Sequence, residues 1–229
     1  MSKPKLLSFD GSDGYADPFK DIYDIVTPES NLSIVGNIAA VDCVLFSGGS
    51  DISPYLYGDN PIRATSPFLE RDKFEEVVFR IAMDQKKAVI GICRGAQLAC
   101  AMAGGRLYQD VTGHSGGHQV QTHDGKDIHM SSLHHQMMRL DNTEHKLLAW
   151  SKGISRHYHM GYPLKSEAWK EGVILTEEPK DGIEPDTVYF SEIRALGFQG
   201  HPEMLSPARP EDKITLDWVS EQVKQHLLN

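Results

Sequence analysis

Apolar residues in this chain fall into short blocks punctuated by glycine, proline and acidic residues, and the period inside the blocks alternates between two types. Lys5 to Phe9 and Val41 to Phe46 are short, nearly continuous apolar runs, the pattern of strands buried on both faces. Asn31 to Ala40, between them, reads as a short helix. Asp72 is placed to cap a helix running to Lys87, with Phe74, Val77, Val78 and Ile81 forming its apolar stripe. Ala88-Val89-Ile90 then predicts a strand and Ala96 to Ala103 a helix, which Gly104 and Gly105 terminate. Between Gly113 and Ile128, Gln119 to His123 alternates with period two and Asp124-Gly125 makes a turn, so a hairpin is expected. Leu147 to Trp150, Val173 to Leu175, Val188 to Phe190 and Ala195 to Phe198 read as further strands. A last helix from Pro210 to Leu228 turns Ile214, Trp218, Val219, Val223 and Leu227 inward. Strands alternating with helices imply an α/β fold with helices on both faces of a sheet.

Composition narrows the function without naming it. A chain of 229 residues with 40% hydrophobic and 24% charged residues suits one α/β domain over 1–229, and no repeat or long linker divides it. A net charge of −9 argues against nucleic acid as a partner, because phosphate contacts require clustered Lys and Arg. No apolar run is long enough for a membrane span, and Met1 to Lys5 leads into a strand with no signal-peptide core. Cys43, Cys93 and Cys100 are too few and too irregular for a disulfide framework, so a reducing, cytoplasmic setting is expected.

Chemistry concentrates at three places. The first is Gly91-Ile92-Cys93-Arg94-Gly95-Ala96-Gln97, where a strand turns into a helix with a cysteine at the turn and glycines two residues to either side. This is the nucleophile-elbow pattern. The glycines keep a tight turn free of side chains, and the helix N-terminus favours negative charge on sulfur. The second is Gln199-Gly200-His201-Pro202-Glu203, which follows a strand-like run. His201 would act as base, and Pro202 would bend the backbone so that Glu203 returns to orient the imidazole. The third is Phe46-Ser47-Gly48-Gly49-Ser50-Asp51-Ile52-Ser53-Pro54 after the strand at Val41 to Phe46. Adjacent glycines there let backbone N–H groups face a ligand, and Gly49 and Arg94 N–H would form an oxyanion hole.

Taken together, these segments resemble the class I glutamine amidotransferase family over about Val41 to Glu203, and within it the gamma-glutamyl hydrolases, such as the gamma-glutamyl-GABA hydrolase branch. Gly48 to Pro54, Tyr57-Gly58, Gly91 to Gly95 and Ser132-Leu133-His134-His135-Gln136 carry that likeness. The resemblance implies a flavodoxin-like three-layer sandwich with a mostly parallel central sheet. It implies Cys93 as nucleophile, His201 as general base and acid, and Glu203 as the orienting carboxylate. Gly48, Gln97, Ser132, Leu133 and His134 would hold the glutamyl end of the substrate. Ser131 departs from the asparagine common in the hydrolase branch, which bears on substrate detail and leaves the chemistry untouched.

The activity so implied is hydrolysis of a gamma-glutamyl amide, from glutamine or a conjugate, through a gamma-glutamyl thioester. Two other readings stand beside it: a glutaminase module that hands ammonia to a separate synthetase or ligase, and a non-catalytic binding protein on the same fold. Arg94 favours the self-contained hydrolase, since synthetase-coupled subunits usually carry another residue there. Loops such as Tyr55 to Glu70 and Arg156 to Trp169 would read the leaving amine, and a homodimer fits the resemblance. No cofactor is implied. His114, His118, His123, His129, His134 and His135 invite a zinc reading, but no local Cys or Glu completes a ligand set, so no metal is expected.

Overall fold

The computed structural model describes residues 2–8, 14–28, 30–166 and 174–228. Fourteen strands are found among them: β1 Lys5–Ser8, β2 Asp24–Val26, β3 Cys43–Phe46, β4 Ala88–Ile92, β5 Arg106–Tyr108, β6 Asp110–Val111, β7 Ser115–Thr122, β8 Asp127–Leu133, β9 Met137–Arg139, β10 His145–Lys152, β11 Tyr158–Met160, β12 Leu175–Thr176, β13 Ile183–Phe190 and β14 Ala195–Phe198. The helices are α1 Asn31–Ile38, α2 Leu69–Asp84, α3 Arg94–Met102 and α4 Pro210–Leu227. Nine strands make the central sheet in the order β2-β1-β3-β4-β14-β13-β10-β7-β8. Pairing is parallel from β2 across to β14, and β13, β10, β7 and β8 extend the sheet antiparallel.

The two faces of the parallel strands bury separate sets of side chains. Leu6, Cys43, Leu45, Ile90, Ile92, Leu196 and Phe198 point to the side packed by Trp218, Val219, Val223 and Leu227 of α4. Leu7, Val44, Phe46, Val89 and Ala195 point to the other, against Ile34 and Ile38 of α1, Val78, Phe79 and Ala82 of α2, and Leu98 and Ala99 of α3. Alternation along fully buried strands is what gives three layers. The α/β architecture with a large, mostly parallel central sheet therefore stands as expected. Among the described residues no helix is long and apolar enough to cross a membrane.

Several expected elements shift for local reasons. Phe9 lies outside the described residues, and α1 begins behind a reciprocal Ser30–Ser33 capping box, with Ser33 N–H donating to Ser30 Oγ at 3.3 Å and Ser30 N–H to Ser33 Oγ at 3.1 Å. α2 starts at Leu69, so Asp72 sits inside its first turn and caps nothing. Its side chain is fully buried and turned to an arginine instead. Val77 and Ile214 are more than half exposed, so the inward stripes of α2 and α4 exclude them. The expected hairpin is β7–β8, longer than the alternating core alone and closed by Thr122, whose hydroxyl donates to Asp124 Oδ1 at 2.6 Å. Val173 lies outside the described residues; the strand described near it is Leu175–Thr176.

Candidate active site

The cysteine predicted at the elbow sits where β4 ends and α3 begins, with φ 50° and ψ −104°. A non-glycine residue in that region is strained and persists only where its surroundings hold it. They do: Cys93 N–H donates to Phe198 O at 2.7 Å, and Gln97 N–H donates to Cys93 O at 3.1 Å. The flanking glycines are steric necessities. A Cβ on Gly91 would lie 2.4 Å from the Gly95 carbonyl, and one on Gly95 would lie 2.0 Å from Phe46 O. Only bare backbone lets α3 rise so steeply from the strand.

The end of β14 brings the second anchor to the same edge. His201 N–H donates to Ser131 O at 2.8 Å, and a single 3-10 turn, Pro202–Met204, returns Glu203 to the imidazole. His201 Nδ1 is 2.6 Å from Glu203 Oε1, and both side chains are almost fully buried. Nε2 is buried without a hydrogen-bond partner, which leaves this nitrogen available for proton exchange. Burial by itself lowers the pKa of His201. The charges and hydrogen-bonding capacity of Cys93 and Glu203 more than reverse this and push it up to about 10.

The glycine loop after β3 packs directly on His201. A Cβ on Gly48 would come within 3.2 Å of His201 Cε1 and 2.7 Å of Tyr15 Oη, and Gly49 adopts φ 136° with Arg71 where its side chain would be. Beneath the loop lies a network that the sequence did not reveal. The Arg94 guanidinium forms buried ion pairs with Asp72 and Glu75 of α2. Asp72 also accepts from Ser53 N–H at 3.0 Å and from its hydroxyl, while Arg71 joins Glu75 at 2.7 Å to Ser47 Oγ at 2.9 Å. Asp72 and Glu75 therefore tie the loop at both ends to the first residue of α3. The Arg94 side chain is a brace that ties the start of α3 to α2.

The remaining predicted residues have different partners. The Leu133 carbonyl is 3.9 Å from Cys93 Sγ while its side chain is 60% exposed, so only its backbone is committed to the site. Ser132 is buried and its hydroxyl donates to His114 O at 3.2 Å. His134 stacks on His114 at 4.4 Å, with Nδ1 2.8 Å from Gln136 O, and burial together with the neighbouring His114 holds its pKa well below the ordinary value. Gln97 donates to Gln136 O at 2.9 Å and to Gln199 Oε1 at 3.4 Å. Gln199, part of the His201 motif, had no assigned role, yet its amide lies 4.0 Å from Cys93 Sγ. Tyr15, with its ring 6.4 Å from that of His201, had no signal in the sequence.

The histidines of the middle segment divide: His114, His118 and His134 pack on one another, and the others go elsewhere. His129 pairs with Asp212 at 3.3 Å, His123 contacts Leu148 O at 3.3 Å, and His118 packs edge-on against His114. Among the described residues one group has the arrangement of metal ligands, Asp110 with His157 and His159, and none of the three belongs to the cysteine site.

Comparison with known proteins places the chain in a family. Residues 25–203 match the family model of Peptidase C26. The glutamine amidotransferase-like protein YvdE of Lactococcus lactis is 38% identical over 104 residues, 43% of each chain. Protein NtpR of Enterococcus hirae is 26% identical over 90% of this chain and 84% of its own length. The match thus spans less than half of the Lactococcus relative. The crystal structure of a glutamine amido transferase from Methylobacillus flagellatus superposes with a TM-score of 0.55 at 15% identity, covering 100% of this chain and 94% of that one, a likeness of fold. With the family match running from β2 through Glu203, and with the elbow and the His–Glu pair assembled at one sheet edge, this chain belongs to the Peptidase C26 family, whose fold is that of class I glutamine amidotransferases.

Proposed function

We propose that this protein hydrolyses a gamma-glutamyl amide through a thioester on Cys93. The observation that carries the reading is the strained Cys93 elbow facing a buried His201–Glu203 pair at 2.6 Å. His201 takes the thiol proton, and the sulfur attacks the delta-carbonyl. The oxyanion is received by the N–H groups of Gly49 and Arg94. Collapse of the tetrahedral adduct breaks the C–N bond, His201 gives its proton to the leaving amine, and a gamma-glutamyl thioester remains. Water then loses a proton to His201 as it attacks, and glutamate and the free thiol are released. Glu203 holds the imidazole tautomer and supports its positive charge through both steps. Gly48, Gln97, Ser132, Leu133 and His134 shape the glutamyl pocket, the first and fourth through backbone and Gln97 by fixing Gln136 and Gln199.

The test is glutamate release by the purified chain from a panel of gamma-glutamyl amides, glutamine included, with Cys93→Ala as control. Turnover of one conjugate well above glutamine, lost in Cys93→Ala, is the expected result. Turnover that survives Cys93→Ala refutes the mechanism. The names of the similar proteins support a second reading, in which the chain donates ammonia to a separate synthetase or ligase; feeble hydrolysis of every amide alone, raised by a partner enzyme, would select it.

A further inference from the structure

We infer that Asp110, His157 and His159 form a binding site for a divalent transition metal of the zinc class, separate from the cysteine site. The argument starts from strand register. In the small antiparallel sheet, His159 of β11 stands opposite Asp110 of β6, and its backbone carbonyl accepts from Gln109 N–H at 2.8 Å. His157 immediately precedes β11, two residues from His159, and its ring lies beside that of His159. Their rings stack at 4.1 Å. His157 Nε2 is 3.0 Å and His159 Nδ1 3.4 Å from the same oxygen, Asp110 Oδ2. All three ligand atoms lie within 4.8 Å of one another.

Those spacings are the edges of a coordination polyhedron. With Zn–N and Zn–O bonds of about 2.0–2.1 Å and tetrahedral angles, neighbouring ligand atoms stand roughly 3.3–3.4 Å apart. The two distances to Asp110 bracket that value. Two imidazoles with one carboxylate suit Zn2+, Ni2+ or Cu2+, whereas Ca2+ and Mg2+ seek all-oxygen sites. The three side chains are 23–31% exposed, which leaves a fourth position to solvent. The stacked rings must splay about their side-chain torsions as the ion enters, a movement open to partly exposed rings.

An outer shell orients the carboxylate. Asp110 Oδ1 is 3.3 Å from His135 Nδ1, His135 Nε2 is 2.9 Å from Asp51 Oδ1, and Asp51 Oδ2 accepts from Ser66 N–H at 2.8 Å. Such support fixes which oxygen faces the ion. It also links the site to both the glycine loop, through Asp51, and the segment following Leu133, through His135. Two N–H donors on one oxygen would satisfy Asp110 with no ion at all, and the experiment separates that hydrogen-bonded cluster from a metal site.

The measurement is Zn2+ binding to the full chain by competition with a chromophoric chelator, run in parallel on Cys93→Ala because a thiolate also takes zinc. One equivalent per chain is expected in both. Asp110→Asn and His159→Gln should each weaken binding at least a hundredfold, and His135→Gln by about 10–100-fold, as for other outer-shell partners. In the unsubstituted chain, NMR should show the ring resonances of His157 and His159 moving stoichiometrically with Zn2+ while those of His123 and His129 stay. The proposal is overturned by absence of binding at millimolar Zn2+, by unchanged affinity in Asp110→Asn and His159→Gln, or by loss of the bound equivalent in Cys93→Ala. It is equally overturned if the resonances that move are those of other histidines, a result that does not depend on any variant folding.

Discussion

Asp72→Ala is the sharpest probe of how the fold holds the site. Asp72 is fully buried, as is its partner Arg94 at 1% exposure. Removing the carboxylate leaves Arg94 with Glu75 alone and takes the acceptor from the Ser53 N–H and hydroxyl. Breaking one partner of a buried ion pair costs about 3–5 kcal/mol, because the other charge stays buried and under-compensated. That is a large share of the roughly 5–15 kcal/mol by which domains are stable. In urea, with a slope of about 3 kcal/mol per molar, the unfolding midpoint should fall by roughly 1–2 M. A double-mutant cycle with Arg94→Met separates the pair from its surroundings. Contacting residues of one network couple, so the double variant should be more stable than additivity predicts by about 1 kcal/mol or more. Turnover should fall as well, although neither side chain touches a reacting atom, since the loop bearing Gly48 and Gly49 is tied down by Ser47 and Ser53. A single-variant cost under about 1 kcal/mol, or additivity within about 0.5 kcal/mol, would refute the reasoning.

Three further outcomes follow from the geometry. Gly95→Ala puts a Cβ 2.0 Å from Phe46 O, so β3, the elbow or α3 must move; displacement of a reacting group by about 1 Å can lower kcat a hundredfold, and an alanine variant with ordinary turnover would contradict this. The pKa of His201 in the folded protein is pushed up to about 10, above the ordinary imidazole value of about 6.5. Its contribution to stability is therefore fully present below pH 6.5 and lost as pH rises towards 10; in Cys93→Ala the titration midpoint of the imidazole, followed by NMR, should move down, because one source of the shift is gone. Trp218→Ala empties the largest side chain of the α4 face, 1% exposed, and removes the hydrogen bond that its indole donates to Asp124 at 3.3 Å; denaturant unfolding should show a loss of about 3–5 kcal/mol.

The sequence by itself determined the layers and the place of the elbow, because both are written in local spacing. Nearly continuous apolar runs mark the strands of the parallel half, and Gly91 and Gly95 flank Cys93 where a strand breaks sharply into a helix with no room for side chains. The return from His201 to Glu203 likewise spans two residues and needs only Pro202 to be legible. Tertiary structure decided whatever depends on residues far apart in the chain. Asp72 read as a helix cap because acidic residues favour that position, and only packing of α2 under the glycine loop turned it towards Arg94. The antiparallel strands beyond β14 carry short or mixed patterns, and pairing partners rather than propensity set their length. Asp110 and His159 meet through the β6–β11 register, a pairing across some fifty residues that no local period announces. Propensity acts within a few residues, whereas buried charges find partners wherever the fold brings an opposite charge out of water, and that choice belongs to the folded chain as a whole.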